Sequence, residues 1–398
     1  MKNILILFAL VLLMPSCNSG QDNKQSRILA DTLVNYAVRP APEWTDLFYR
    51  KNGWFGADGI FSITFSGDES IGAGRKEEVM LSFSDTMTGT VLGDSAVDNF
   101  KMVNNSFAFV QNAKASEETV SIHYKQAPDG EALSYFRPNT PDTKEGEYYW
   151  MGDMFVNKED NNSINIFGYR VFDKSEASWD FEIRGVTIIT IPEGERPPFD
   201  NHTQIDAPLF VTLKGIGSGT FGSAVYMNTK WGGAPDPDGF MYIYGLIDPN
   251  KQLIVARVYP KDFKKFDQWR YWDGQDWQDD MSKSRPVTDR VSNEVSLTPM
   301  KDGRYLLVFQ SDGIGETTAI RIGQSPVGPF GPLQHIWRAP EANQPPGIIP
   351  YNAKAHPVLS TEEELLISYN TISFDYFKDI LTHPHMYRPR FFWLSIKD

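Results

Sequence analysis

Cysteine is almost absent: Cys17 is the only one in 398 residues. That excludes an internal disulfide framework and any thiolate cluster for zinc or iron–sulfur. Histidine is scarce as well, with six copies and no His-Glu-x-x-His pattern. Walker loops and Gly-x-Ser-x-Gly elbows do not occur. His383-Pro384-His385 and Asp236-Pro237-Asp238-Gly239 read as a loop and a turn, so no metal is expected. Positive charge is short: 38 Lys and Arg stand against 51 Asp and Glu, a formal charge of −13. A nucleic-acid partner needs a basic stripe to neutralise phosphates, so none is expected. The segment from Gly217 to Gly222 spells Gly-x-Gly-x-x-Gly, but Ser223-Ala224-Val225-Tyr226 continues as a strand. No helix follows to hold a pyrophosphate, and no cofactor is expected.

Long apolar runs are missing outside the N-terminus. Lys2 precedes Ile4 to Met14, an apolar run of 11 residues. Spanning a bilayer takes roughly 20. The run ends Leu13-Met14-Pro15-Ser16-Cys17, which resembles a bacterial lipobox. Residues 1–16 therefore read as a lipoprotein signal peptide. Residues 17–43 read as a lipidated tether and approach segment, and 44–398 as one domain. The expected location is the outer membrane, on its periplasmic or surface face. Membrane contact would run only through lipidated Cys17, on a protein that is otherwise a monomer.

What remains is rich in turn formers and aromatics: 31 Gly, 26 Pro, 10 Trp, 17 Tyr and 26 Phe. From Trp44 onward the apolar runs are short, β-branched or aromatic, and bounded by Gly, Pro, Asn or Asp. Val79-Met80-Leu81-Ser82-Phe83 and Leu253-Ile254-Val255-Ala256-Arg257-Val258 are examples. Helical periodicity is not found, so the class is all-β. Six times a short polar or glycine-bounded motif precedes such a run. The motifs are Ala57-Asp58-Gly59, Asn104-Asn105-Ser106, Gly152-Asp153, Gly222-Ser223, Asn293-Glu294 and Ala355-His356-Pro357. A β-propeller produces this recurrence, because each blade's inner strand carries polar side chains to the mouth of a central channel.

Carboxylates heading such strands suit sugar cleavage, which needs an acid for the departing oxygen and a second carboxylate as base or nucleophile. Asp58, Asp153 and Glu294 are the catalytic candidates. Glu294 precedes an apolar strand, and burial there would raise its proton affinity as an acid requires. Asn105, Asn352, His356, Asp85 and Trp150 are candidate contacts for sugar hydroxyls and rings. Each also has a plain structural reading: a turn cap for Asp58 and Asp85, an ion-paired Glu294, a satisfied core His356. A non-catalytic glycan-binding module is the alternative to a hydrolase; both would take a carbohydrate partner.

Several segments, taken in order, resemble a known group. They include Trp54-Phe55-Gly56-Ala57-Asp58-Gly59, Leu81-Ser82-Phe83-Ser84-Asp85-Thr86, Val291-Ser292-Asn293-Glu294 and Tyr351-Asn352-Ala353-Lys354-Ala355-His356-Pro357. Together they resemble the DUF4185/DUF5005 group of secreted and lipoprotein five-bladed β-propellers. The resemblance implies five blades, expected at 54–125, 147–192, 208–272, 288–340 and 351–396, with the N-terminal segment as a candidate closing piece. It also implies kinship with five-bladed propeller glycosidases, arabinanases and β-fructosidases among them, and some DUF4185 relatives are endo-D-arabinanases. In those glycosidases a base or nucleophile Asp stands early in the first blade, where Asp58 falls. Their acid Glu stands in a later blade, where Glu294 lies further along than usual.

Overall fold

The computed structural model describes residues 33–94, 96–175, 177 and 179–397. The expected signal peptide, Cys17 and most of the tether lie outside them. The described chain is all-β, and its helices are single turns such as Pro42–Thr45 and Tyr376–Asp379.

The described residues form seven antiparallel sheets, five of which have four strands or more and follow one another along the chain. The first holds Phe61–Thr64, Glu78–Phe83, Ser106–Gln111 and Val120–His123. Tyr148–Asn157, Ser163–Asp173, Phe181–Ile191 and Thr203–Ala207 make the second. The third is built mainly on Gly217–Met227, Met241–Asp248 and Gln252–Val258. Val295–Pro299, Tyr305–Gln310, Thr317–Gly323 and Gln334–Arg338 form the fourth. In the fifth, Ile349–Ala355, Leu365–Ile372 and Arg390–Lys397 are joined by Asn35–Pro40 on the outer edge. The leading strands touch in sequence order from first sheet to fifth. The circuit closes where His356, just past the fifth leading strand, bonds Ser62 of the first.

Every sheet is apolar on both faces, which is why its strands read as continuous runs rather than alternations. In Glu78–Phe83, Val79, Leu81 and Phe83 point into a cluster with Leu366 and Phe391 of the fifth sheet. Met80 points the other way, into a cluster with Met151 and Ile189 of the second. Leu306 and Val308 face Ile367 of the fifth sheet, while Leu307 and Phe309 face Tyr244 and Val255 of the third. Phe167 and Ile188 meet Phe221 and Ile243 between the second and third. Each such side chain contributes about 1.5–3 kcal/mol on burial.

Residues 35–40, part of the N-terminal segment that is the candidate closing piece, form the outer strand of the fifth sheet, beside residues 392–397. One feature departs from the expected layout: the first expected blade splits. Asn52–Ala57 leaves it to pair with Thr86–Leu92 and Ala96–Val103 in a separate three-stranded sheet. With Tyr351, Tyr376 and Tyr387 this extra sheet forms a sixth apolar cluster. Gly56 is needed there, since a Cβ would sit 1.7 Å from the Tyr387 carbonyl oxygen.

Deleting residues 35–40 would strip the fifth sheet of its outer strand and expose the edge of Arg390–Lys397. The expected outcome is a Tm loss of at least about 5 °C and new self-association, read by calorimetry and light scattering.

Candidate functional site

Asp58 stands just ahead of the first leading strand, in a tight corner where Gly59 has φ +65°. A Cβ at Gly59 would lie 2.4 Å from Ser84 Oγ, so only glycine lets the two loops meet. They are stitched by backbone bonds: Asp58 N–H donates to Asp85 O at 3.1 Å and Ser84 N–H to Asp58 O at 2.8 Å. Asp58 and Asp85 are thereby neighbours, both partly buried. The Tyr351 hydroxyl donates to Asp58 Oδ2 at 2.6 Å, while Asp58 Oδ1 is buried without a partner. Asp85 is held at both oxygens, by Asn104 Nδ2 and Trp150 Nε1, each at 3.0 Å.

Burial raises the proton affinity of both carboxyls. It is opposed at Asp58 by hydroxyls of Tyr351 and Tyr387, and reinforced at Asp85 by the Asp58 charge. The two titrate as a pair that keeps a proton to higher pH than an ordinary carboxylate.

Below this mouth the axis stays acidic. Glu294 is 6% exposed and its Oε2 has no partner. Burial holds it well above the usual carboxylate range, Lys354 pulls the other way, and the charges of Asp58 and Asp153 add to the rise. Asp153 sits in a β-bulge between Met151 and Met154, and a bulge re-aims a side chain. Gly152 beside it touches the next leading strand, where a Cβ would lie 2.7 Å from Gly222 O. Similar bulges interrupt the third leading strand at residues 222–223 and the fifth at 352–353. Lys354 is 3% exposed, with Nζ 3.9 Å from Asp153 Oδ1 and 3.1 Å from the centre of the Phe61 ring. Burial lowers its pKa against the pull of Asp153, Glu294 and Glu69. Where the leading strands end, a cavity of about 70 Å³ is lined by Glu69, Asp153, Lys354, Ser296 and Tyr226. It has room for a few waters.

The expected site residues thus divide. Asp58, Asp85 and Trp150 are linked by hydrogen bonds, Glu294 is close enough to feel the Asp58 charge, and Asn352 lies in the bulge directly after Tyr351, with φ 56°. Asp153 reaches the axis, but Val225 N–H at 2.7 Å and Met154 N–H at 2.9 Å occupy both its oxygens. It ties the second leading strand to the third rather than offering a free carboxylate.

Two candidates are corrected outright. Asn105 is fully buried and saturated, donating to Phe136 O at 2.9 Å and accepting from Phe136 N–H at 2.8 Å. It clamps a loop. His356 is fully buried between Ser62 and Ser368 hydroxyls, and burial lowers its pKa to about 3. It is a neutral core histidine joining the fifth sheet to the first.

The sequence pattern does not single out Tyr351, Tyr387, Lys354 or Glu69. Lys354 carries a visible signal all the same, a lysine between two alanines in an otherwise buried strand, which is tolerated only beside carboxylates. Tyr387 carries none, since it arrives from a loop 329 residues after Asp58.

Residues 42–395 match the family described as Domain of unknown function (DUF5005). The chain belongs to that family. A comparison with curated proteins gave no match. Among solved structures, a Bacteroides ovatus ATCC 8483 protein provisionally described as a hydrolase superposes with a TM-score of 0.67 at 20% identity, over 96% of each chain. That similarity concerns the fold. An exo-beta-1,3-galactanase from Phanerochaete chrysosporium with galactose gives 0.43 at 13% identity, over 90% of this chain and 64% of its own. An alpha-L-arabinofuranosidase from Podospora anserina in complex with cellotriose gives 0.39 at 11%, over 87% and 98%. Superpositions that loose carry no weight for the site.

A raised carboxyl lets the folded state bind more protons than the unfolded chain, so Asp85 makes stability fall as pH rises from about 4 toward its raised pKa. Asp85→Asn should therefore be more stable than the parent at pH 8, on the order of 1–2 kcal/mol, with the gain shrinking toward pH 4. Denaturant titrations at the two pH values check this. A gain equal at both would show that the Asp85 charge is not the cause.

Proposed function

We propose that this protein is a five-bladed β-propeller glycoside hydrolase working from the bacterial cell envelope on a poly- or oligosaccharide. Five sheets whose leading strands meet in a closed circuit support the propeller reading. The observation that carries the activity is the pair Asp58 and Glu294. Each has a buried carboxyl oxygen without a partner, and the charge of one raises the proton affinity of the other.

Glu294, kept protonated by burial, supplies the proton to the departing glycosidic oxygen. Asp58, whose anion Tyr351 and Tyr387 support, is the ionised partner that activates water or attacks the anomeric carbon. Asp85, fixed by Trp150 and Asn104, stands beside Asp58 as the member of the pair that keeps the proton while Asp58 is ionised. Lys354 opposes the burial-driven rise in proton affinity at Asp153 and Glu294. A furanoside-containing, arabinan-like substrate is the specific candidate, on the family resemblance.

Detergent-solubilised protein screened against plant, fungal and mycobacterial polysaccharides should release reducing ends from at least one. Asp58→Asn and Glu294→Gln should each lower that release by at least about a hundredfold while the near-UV spectrum of the fold is kept. Retained sugar binding with no release by the parent would replace the hydrolase with the glycan-binding module.

Anchoring through Cys17 is part of the same proposal. Dual acylation retains a protein firmly, each buried CH₂ contributing about 0.8 kcal/mol. Cys17→Ala should move the protein to the soluble fraction on cell fractionation. Unchanged membrane association would require another anchor.

A further inference from the structure

Trp179 lies between Ser163–Asp173 and Phe181–Ile191 of the second sheet, and loop 373–389 follows Leu365–Ile372 of the fifth. Both connections leave their sheets at the end that carries Asp58. Tyr148, at the start of the second leading strand, donates to Asp173 Oδ1 at 2.8 Å, and Ile372 pairs with Ile349 at the start of the fifth. The loops meet. Trp179 Nε1 donates to Phe374 O at 3.2 Å, and the two rings lie 5.7 Å apart.

These rings are not core. Trp179 is 38% exposed and Phe374 66%. Single exposed apolar residues need no explanation, but two from distant loops that meet make one apolar surface. The patch also runs into the acidic mouth from both sides. On one side Phe181 packs edge-on against Trp150 at 4.6 Å, and Trp150 holds Asp85. On the other, Tyr376 packs on Tyr387 at 4.7 Å, and Tyr387 faces Asp58. The Tyr376 hydroxyl is buried with no hydrogen-bond partner, as is Ser373 Oγ in the same loop.

We infer that Trp179 and Phe374 form a stacking shelf for a sugar ring of the bound glycan, next to the ring held over Asp58. The inference rests on the hydrolase or glycan-binding reading of the mouth and names where its ligand extends. The chemistry is that of a saccharide, whose C–H faces lie on the aromatic rings. The carboxylates at the mouth accept from sugar hydroxyls and disfavour an anionic ligand.

Affinity electrophoresis of the detergent-solubilised full chain, in gels holding arabinan, galactan or xylan, tests this. Reducing-end release is measured in parallel. The parent and Asp58→Asn should be retarded by at least one polysaccharide. Trp179→Ala and Phe374→Ala should each weaken that retardation about three- to tenfold, the range for one lost aromatic contact, and Trp179→Phe should restore most of it. Thermal unfolding confirms that the variants are folded. Retardation unchanged in both alanine variants overturns the shelf and leaves the hydrolase standing if release persists. A parent retarded in none of the three gels also overturns it, with the release assay judging the hydrolase separately.

Discussion

Closure between the fifth sheet and the first is the contact on which the site depends. Asp58 and Tyr351 are 293 residues apart, yet the Tyr351 hydroxyl lies 2.6 Å from the Asp58 carboxylate. That distance holds only because Val79, Leu81 and Phe83 share one apolar cluster with Leu366, Phe391 and Trp393. His356 reinforces the seam with hydroxyls at both ring nitrogens, and Asn370 Nδ2 donates to Ala57 O at 2.9 Å. Burial lowers the His356 pKa to about 3, so the ring is neutral near neutral pH. The seam therefore contributes no charge to an axis that already has too many carboxylates.

Those carboxylates are a standing cost. Asp58, Asp85, Asp153, Glu69 and Glu294 are all driven toward their neutral forms by burial, and Lys354 is the cation that acts on Asp153, Glu69 and Glu294. An apolar axis of the same volume would be at least as stable. Local rules broken where nothing in the packing demands it are expected at functional sites. The two oxygens left without partners, on Asp58 and Glu294, are where that expectation is most concrete.

Much of the scaffold is legible in the sequence, for a physical reason. Strands buried on both faces must be continuous apolar runs, and those at 79–83, 164–169, 186–191, 241–244, 253–258 and 305–309 are strands of the five sheets. The expected blade limits miss the extra sheet, because Asn52–Ala57 reads like any inner strand and only its pairing with Thr86–Leu92 removes it. Buried carboxylates are legible where they head a leading strand, as at Asp58 and Glu294. Side-chain directions are not legible where a bulge changes the register. In Tyr351-Asn352-Ala353-Lys354-Ala355-His356, strict alternation would give Asn352, Lys354 and His356 one face. The break between Tyr351 and Lys354 takes Asn352 off the Lys354 face, and the strand ends at Ala355, which leaves His356 in the seam. Asn105 and its neighbour Asn104 show the same limit. One is locked to Phe136 and the other holds Asp85, a difference set by which way one strand end turns.

The extra sheet and the two aromatic loops share a logic of placement. Residues 84–105 link Glu78–Phe83 to Ser106–Gln111, and the connections carrying Trp179 and Phe374 make the equivalent link in the second and fifth sheets. In a meander this link lies at the end where the leading strand begins, so all three excursions emerge on the side that carries Asp58. The other strand ends there are tied to the same group: Tyr351 on Asp58, Trp150 on Asp85, Tyr148 on Asp173. Lengthening these links leaves the inter-sheet clusters untouched, whereas inserting residues into a leading strand would shift every side chain between two neighbouring cores. Chemistry and ligand contact can therefore vary at this face without altering the five apolar clusters that hold Asp58 against Tyr351.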